Sequence, residues 1–109
     1  MHVEASADDA LTHGLLNSWE HEDEWYVYFS QPEGAQIVSY IDGEKILPNG
    51  NMLWIKDKDF GMGNYHPIAW SQLVGEGKSF YTSMGHSKEV WQENHFVNLI
   101  ENALRWAVN

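Results

Sequence analysis

The C-terminal end of the chain carries the pattern that most constrains the fold. Apolar residues recur there at steps of four and three residues, at Phe96, Ile100, Ala103 and Ala107. This spacing places them on one face of a helix, with Asn94 as the expected N-cap. Further apolar residues flank this stripe, so we expect the helix to be buried on more than one side.

The segments before this helix have the composition of β-strands. Aromatic and β-branched runs lie at residues 25–29, 36–41, 52–56, 66–74 and 78–84. The first 24 residues form a more polar lead-in with one short helical turn or loop. Strands followed by a single helix predict an α+β fold, a mostly antiparallel sheet of four to five strands with the C-terminal helix packed on it.

The register of the last hairpin decides which side chains share a face of the sheet. A three-residue loop at residues 75–77 pairs Val74 with Lys78 and sets His66 opposite His86. The alternative, a two-residue turn at residues 76–77, moves Phe80 and Met84 to the other face and separates the two histidines. The three-residue loop segregates the large apolar side chains better, and such loops with glycine are common. We therefore expect the three-residue loop.

Charge and composition exclude several classes of function. The formal net charge is −10, and all of it lies in residues 1–44, which contain no lysine or arginine. A chain this acidic is a poor ligand for nucleic acid or for an anionic membrane. The absence of cysteine excludes disulfides, a thiolate zinc site and a cysteine nucleophile. We expect a single cytoplasmic domain over residues 1–109, with no cofactor and no bound metal.

Several strings of this sequence resemble a known family. HPIAW at residues 66–70, GEGKSFYTSMGH at 75–86 and WA at 106–107 resemble the C-terminal half of the ThuA-like (trehalose-utilisation) family. Upstream, THGL at 12–15 and DEWY at 23–26 fall in the order of that family's T-x-G-L and D-E-x-Y elements. The most specific of these features is the string that runs from Trp70 to His86.

The resemblance implies a fold and a class of partner. That family is similar to the class I glutamine-amidotransferase superfamily, whose flavodoxin-like fold has a parallel sheet with helices on both faces. Its members are linked to sugar metabolism and are about twice as long as this chain, so the resemblance implies half of such a fold. Half of a sheet exposes a strand edge and apolar faces, and self-association covers them. We therefore expect a homodimer.

His86 is the strongest candidate for a catalytic residue. It follows Gly85 at the end of a predicted strand and precedes a helix, a position where α/β folds place ligands. A histidine there can act as an acid or a base near neutral pH. Glu24 is its candidate partner, because burial beside Trp25 would raise the pKa of the carboxyl. In the alternative interpretation, the His86 ring bonds a backbone carbonyl and holds the strand-to-helix turn.

Five further residues are candidates for ligand binding: His66, Trp70, Tyr81, Asp23 and Tyr26. Aromatic rings such as those of Trp70 and Tyr81 offer faces on which a sugar stacks. Asp23 and Tyr26 belong to the family-like DEWY string, and His66 begins the HPIAW string. The alternatives are core packing for Trp70, an ordinary strand-end histidine for His66 and a turn-stabilising carboxylate for Asp23.

Two functions from different classes follow from these features. We expect a dimeric binding or interaction module related to proteins of carbohydrate metabolism, with a second copy of the chain and a sugar as partners. The alternative is a carbohydrate-active enzyme that uses a His–Glu acid–base pair on a sugar or keto-sugar. A common cavity for His86, Glu24 and His66 would favour the enzyme.

Overall fold

The computed structural model describes residues 1–23, 26, 33–42 and 65–109. Four strands and two α-helices are present in these ranges, together with a 3₁₀ helix that precedes the last α-helix. The strands are β1 (His2–Val3), β2 (Gln36–Ile41), β3 (His66–Val74) and β4 (Gly77–Thr82), and the helices are α1 (Asp9–Thr12), the 3₁₀ helix (Lys88–Gln92) and α2 (Asn94–Val108).

The strands form one antiparallel sheet in the order β1-β2-β3-β4. The predicted α+β fold, an antiparallel sheet with a C-terminal helix, is confirmed. The bounds of β2 and β3 agree with the prediction, and β1 was not predicted. The expected strands at 25–29 and 52–56 lie outside the described residues, apart from Tyr26. The parallel sheet that the superfamily resemblance implies is not found among the described strands.

The predicted register of the last hairpin is wrong. Val74 pairs with Gly77 and Trp70 pairs with Tyr81, so the loop consists of the two residues 75–76. It is neither the expected loop at 75–77 nor the alternative turn at 76–77. Gly75 adopts φ +61°, the left-handed conformation that two-residue hairpin turns require at their first position. Because Gly75 supplies that conformation, the residue after the turn is free to pair as the first residue of β4.

The corrected register puts Phe80 opposite Ser71, on the other face of the hairpin from Trp70. Phe80 packs against the core together with Ile100 and Trp106 of α2. The buried apolar core draws on the sheet, both helices and the 3₁₀ helix: Ala7, Leu11, Val38, Ile41, Ile68, Ala69, Met84, Val90, Phe96, Leu99 and Ala103. Phe96, Ile100 and Ala103 of the predicted stripe therefore belong to the core or pack against it, whereas Ala107 is exposed.

Polar contacts fix α2 along its length. In its middle, the buried Asn102 Nδ2 donates to the carbonyl oxygens of Leu11 at 3.1 Å and His13 at 2.8 Å. At its end, Lys78 Nζ donates to the carbonyl oxygens of Trp106 at 3.1 Å and Asn109 at 2.5 Å. These bonds satisfy carbonyls that helix ends leave open, and they tie α1 and β4 to α2.

The predicted N-cap of α2 is wrong by one residue. Glu93 occupies that position with extended backbone angles, and Asn94 is the first helical residue. The Glu93 side chain makes no capping hydrogen bond. Its carboxylate instead contacts Trp19 and His21 of the N-terminal region, which comprises residues 1–23. These contacts build the site described below. Ser87 stands at the N-cap position of the 3₁₀ helix, and its side chain makes no capping hydrogen bond either.

A phenol–carboxylate contact holds the N-terminal region against the start of β3. The Tyr65 hydroxyl donates to Glu4 Oε2 at 2.5 Å, and the Glu4 N–H donates to the Val38 carbonyl oxygen at 2.8 Å. Burial of the phenol raises the pKa of Tyr65, and the hydrogen bond and charge of Glu4 raise it further. Each of these disfavours the phenolate, so Tyr65 remains a donor at neutral pH.

None of the helices in the described part of the chain has the length and apolar character needed to cross a bilayer.

Candidate functional site

Asp23 joins the N-terminal region to the turn that follows β4. Its Oδ2 accepts a hydrogen bond from the Gly85 N–H at 2.7 Å, and its Oδ1 accepts one from the His86 N–H at 3.1 Å. The side chain of Asp23 is fully buried. Hydrogen bonds to an ionised acceptor are stronger than bonds between neutral groups, so this carboxylate fixes the backbone of the turn.

His21 connects that carboxylate to the start of α2. Its Nε2 lies 3.0 Å from Asp23 Oδ2, and its Nδ1 lies 2.6 Å from Glu93 Oε2. The Trp19 Nε1–H donates to Glu93 Oε1 at 2.9 Å. Like Asp23, the His21 side chain is fully buried. We call these four side chains, Trp19, His21, Asp23 and Glu93, the Asp23 network.

The segment that contains Trp19, His21 and Asp23 alternates between buried and exposed residues, but its acidic composition obscures this pattern in the sequence. Trp19, His21 and Asp23 are partly or fully buried, whereas Glu20 and Glu22 between them are exposed. Alternation with a period of two is typical of an extended chain with one face against the protein. The acidic composition of residues 20–24 favours a solvated surface, and sequence reasoning therefore missed Trp19, His21 and Glu93.

Gly85 allows the turn to approach the core closely. Its φ is +102°, and a Cβ at this position would lie 3.1 Å from Phe96 Cζ and 3.3 Å from Trp91 Cζ2. The Trp91 Nε1–H donates to the Gly85 carbonyl oxygen at 3.0 Å, and the Trp91 and Phe96 rings meet edge to face at 4.8 Å. The backbone of Gly85 is therefore held on one side by aromatic rings and on the other by Asp23.

A cavity of about 560 Å³ opens beside the Asp23 network. Its described lining residues come from the N-terminal region, the turn after β4, the 3₁₀ helix and the start of α2: Glu22, Asp23, His86, Ser87, Glu89, Val90 and Glu93. The volume lies within the range of small-molecule sites. Carboxylates accept hydrogen bonds, a hydroxyl donates and accepts, and an imidazole can do either, so the lining suits a ligand rich in hydroxyl groups.

The structure brings two of the predicted site residues together at the cavity. His86 and Asp23 both line the cavity. The oxygens of Asp23 accept backbone N–H groups, as the turn-stabilising alternative expects, and its ligand-binding role stays a prediction. Glu24, the proposed partner of His86, lies outside the described residues. Tyr26 is 45% exposed, and its carbonyl oxygen receives a hydrogen bond from another predicted residue, His66.

His66 lies in the protein interior and is not among the described lining residues of the cavity. Its ring is fully buried, with Nε2 2.7 Å from the Tyr26 carbonyl oxygen. A carbonyl only accepts, so Nε2 carries the proton. Burial lowers the pKa of His66, and the bond to Tyr26, which acts in the opposite direction, does not cancel this effect. His66 is therefore neutral at pH 7, and the expected pairing of His66 with His86 across the hairpin is wrong.

Trp70 and Tyr81 stack on each other across the hairpin. Their ring centroids are 4.4 Å apart with an angle of 24° between the planes, and they are cross-strand partners. Trp70 is half-buried and Tyr81 is 36% exposed. Neither belongs to the described lining of the cavity at His86. Each ring packs one of its faces against the other ring. Stacking of a sugar on this pair stays a prediction.

Within residues 1–23, 26, 33–42 and 65–109, no group of three or more histidine, aspartate or glutamate side chains is arranged to hold a metal ion.

Comparison with known proteins gives one match. A family model, ThuA, described as trehalose utilisation, matches residues 1–107 of the 109-residue chain. No curated protein and no solved structure matches the chain. The resemblance predicted from the strings at 12–15, 23–26, 66–70, 75–86 and 106–107 is confirmed by the family match.

We expect the substitution Gly85→Ala to destabilise the fold. The added Cβ meets two aromatic rings of the core, and φ +102° is a conformation that L side chains rarely adopt. The expected loss is about 1–3 kcal/mol in the free energy of unfolding, measured by urea denaturation.

The matched control is Gly75→Ala. Gly75 also has a positive φ, +61°, but a Cβ there meets no described atom within 4 Å. The control should lose less stability than Gly85→Ala. Equal losses in the two variants would contradict the close packing of Gly85 against Phe96 and Trp91.

Proposed function

Because the chain belongs to the ThuA family, described as trehalose utilisation, we propose that residues 1–109 form one carbohydrate-binding domain. The ligand is a mono- or disaccharide, and it occupies the cavity beside His86. The observation that carries this proposal is that side chains with hydrogen-bonding groups from four parts of the chain line one cavity of about 560 Å³.

The lining of the cavity matches the chemistry of a sugar. Sugar hydroxyls donate to the carboxylates of Glu22 and Glu89, and they accept from or donate to the hydroxyl of Ser87. Val90 adds an apolar contact for the C–H groups of the ring. Since the Asp23 network fixes the turn that carries His86, the site needs little rearrangement to bind, which favours affinity.

A second candidate function is supported by one specific observation. His86 shares the cavity with the carboxylates of Glu22, Glu89 and Glu93. A histidine and a carboxylate on opposite sides of a bound sugar form an acid–base pair, so a carbohydrate-active enzyme that acts on a sugar or keto-sugar is the alternative. Product formation from the bound sugar distinguishes this enzyme from a binding module.

The sugar site is tested by calorimetric titration with glucose, trehalose and a keto-sugar at millimolar concentration. At least one of them should bind, and His86→Ala and Glu89→Gln should each weaken binding about fivefold or more. His86→Ala removes a hydrogen-bonding side chain, and Glu89→Gln replaces one acceptor oxygen of a charged carboxylate by a donor nitrogen. His86→Ala keeps the backbone N–H that Asp23 uses, so the variant should fold.

The controls make the same chemical changes away from the cavity. His13→Ala removes an exposed histidine, and Glu101→Gln removes a carboxylate that pairs with Arg105 on the surface of α2. Both should bind the sugar as the unmodified protein does. Absence of binding for every sugar in the panel would contradict the proposed function. NMR spectra of the mixtures after incubation report whether a product forms.

We further propose that the domain forms a homodimer through the end of the molecule where the hairpin tip lies beside the end of α2. Leu73 and Val74 at the tip are 72% and 59% exposed, and Leu104 and Val108 on α2 are 64% and 83% exposed. The hydrogen bonds from Lys78 join the start of β4 to the end of α2, so these side chains share one end. We call these four side chains, Leu73, Val74, Leu104 and Val108, the patch. In a two-fold dimer the patch is covered in both copies.

Size-exclusion chromatography with light scattering tests the dimer. At micromolar concentration the mass should be twice the 12.6 kDa of one chain. Leu104→Glu should give monomers, because it places a charge in the patch, whereas Leu16→Glu, at a position that is 58% exposed outside the patch, should not. A monomeric unmodified protein would show that this patch is not a dimer interface.

A further inference from the structure

We infer that His21 is the positioning residue of the cavity: its imidazole sets the placement of the turn at Gly85 and His86 through Asp23, and the placement of the start of α2 through Glu93. This inference rests on the proposed function only in taking the cavity as a sugar site.

The imidazole of His21 is the point at which three parts of the chain meet. It belongs to the N-terminal region, its Nε2 lies 3.0 Å from Asp23 Oδ2, and its Nδ1 lies 2.6 Å from Glu93 Oε2. Asp23 in turn holds two consecutive N–H groups of the turn after β4. His21 therefore links a wall of the cavity that comes from residues 22–23 to walls that come from residues 86–87 and from Glu93.

The ring itself has a fixed place in the structure. Its side chain has no exposed surface, and it stacks on Phe96 with ring centroids 6.5 Å apart and 29° between the planes. Phe96 is fully buried in the core and lies against Trp91, whose indole N–H holds the Gly85 carbonyl oxygen. Both rings are buried, so the contact between them varies little. The core therefore fixes the position of the His21 imidazole, and the imidazole fixes the position of the cavity walls.

The two ring nitrogens can be separated by substitution. The amide nitrogen of glutamine reaches the position of an imidazole Nε2, and the amide nitrogen of asparagine reaches the position of Nδ1. His21→Gln therefore retains a donor for Asp23 and loses the contact with Glu93. His21→Asn keeps a nitrogen at the position that faces Glu93 and loses the contact with Asp23. If His21 positions the turn through Asp23, only the asparagine variant should release Gly85 and His86.

The experiment records backbone amide NMR spectra of the full chain and of the two His21 variants. In His21→Asn, the Gly85 and His86 amide protons should shift upfield, as their hydrogen bonds to Asp23 lengthen. In His21→Gln, these shifts should be small. The dissociation constant for the sugar that binds the unmodified protein should rise about fivefold in His21→Asn and less in His21→Gln, because the turn is no longer preorganised.

A neighbouring histidine supplies the control for general loss of packing. His95 stacks on Trp19 with ring centroids 4.8 Å apart, so His95→Gln disturbs the surroundings of the network while leaving its hydrogen bonds in place. It should lower the melting temperature without moving the Gly85 and His86 amide signals. Unchanged amide signals in His21→Asn would overturn the inference, whether or not a sugar binds. Failure of every sugar to bind the unmodified protein contradicts the proposed function alone.

Discussion

The rest of the site depends on a single carboxylate that accepts two consecutive backbone N–H groups. After β4 the chain leaves the sheet, and the amides of Gly85 and His86 have neither a strand partner nor a helical one. Backbone N–H groups are strong donors that require partners, and Asp23 accepts hydrogen bonds from both. The consequence reaches beyond the turn, because the segment of Asp23 also contacts the start of α2 through His21 and so forms one wall of the cavity.

The position of α2 results from apolar burial and polar anchoring together. Its apolar stripe packs on the sheet and provides most of the favourable free energy, but such packing alone tolerates small shifts of a helix. Three polar contacts remove that freedom: Glu93 with the N-terminal region, Asn102 with the end of α1, and the backbone at Trp106 with Lys78. The cavity lies at the first of these anchors, where Glu93 is one of its lining residues.

Periodicity explains how much of the fold could be predicted from the sequence. The α2 stripe and the strands β2, β3 and β4 have strong local patterns, and the structure places all of them within two residues of the expected bounds. The hairpin register could not be decided in this way, because glycines at 75 and 77 permit loops of different length. The left-handed conformation of Gly75 in the structure distinguishes the two-residue loop from the three-residue loop. The two-residue strand β1 carries no pattern at all.

The residues of the candidate site likewise divide into those that sequence patterns identify and those that they do not. His86 and Asp23 stand out because they belong to family-like strings next to a strand end. His21 and Glu93 do not, since their roles arise from contacts between segments about 70 residues apart, and an acidic stretch is more often a solvated surface. His66 carried as strong a sequence signal as Asp23, yet it lies in the interior. Motif membership therefore identified positions near the site, and tertiary contacts decided which of them face the cavity.

Amide hydrogen exchange of Gly85 and His86 in the unmodified protein tests the central claim most directly. Neither residue lies in a strand or a helix, so local structure alone gives no protection. If Asp23 holds both amides, they should exchange as slowly as the paired amides of Trp70 and Tyr81 in the hairpin. Exchange as fast as that of Glu76 at the exposed hairpin turn would contradict the account.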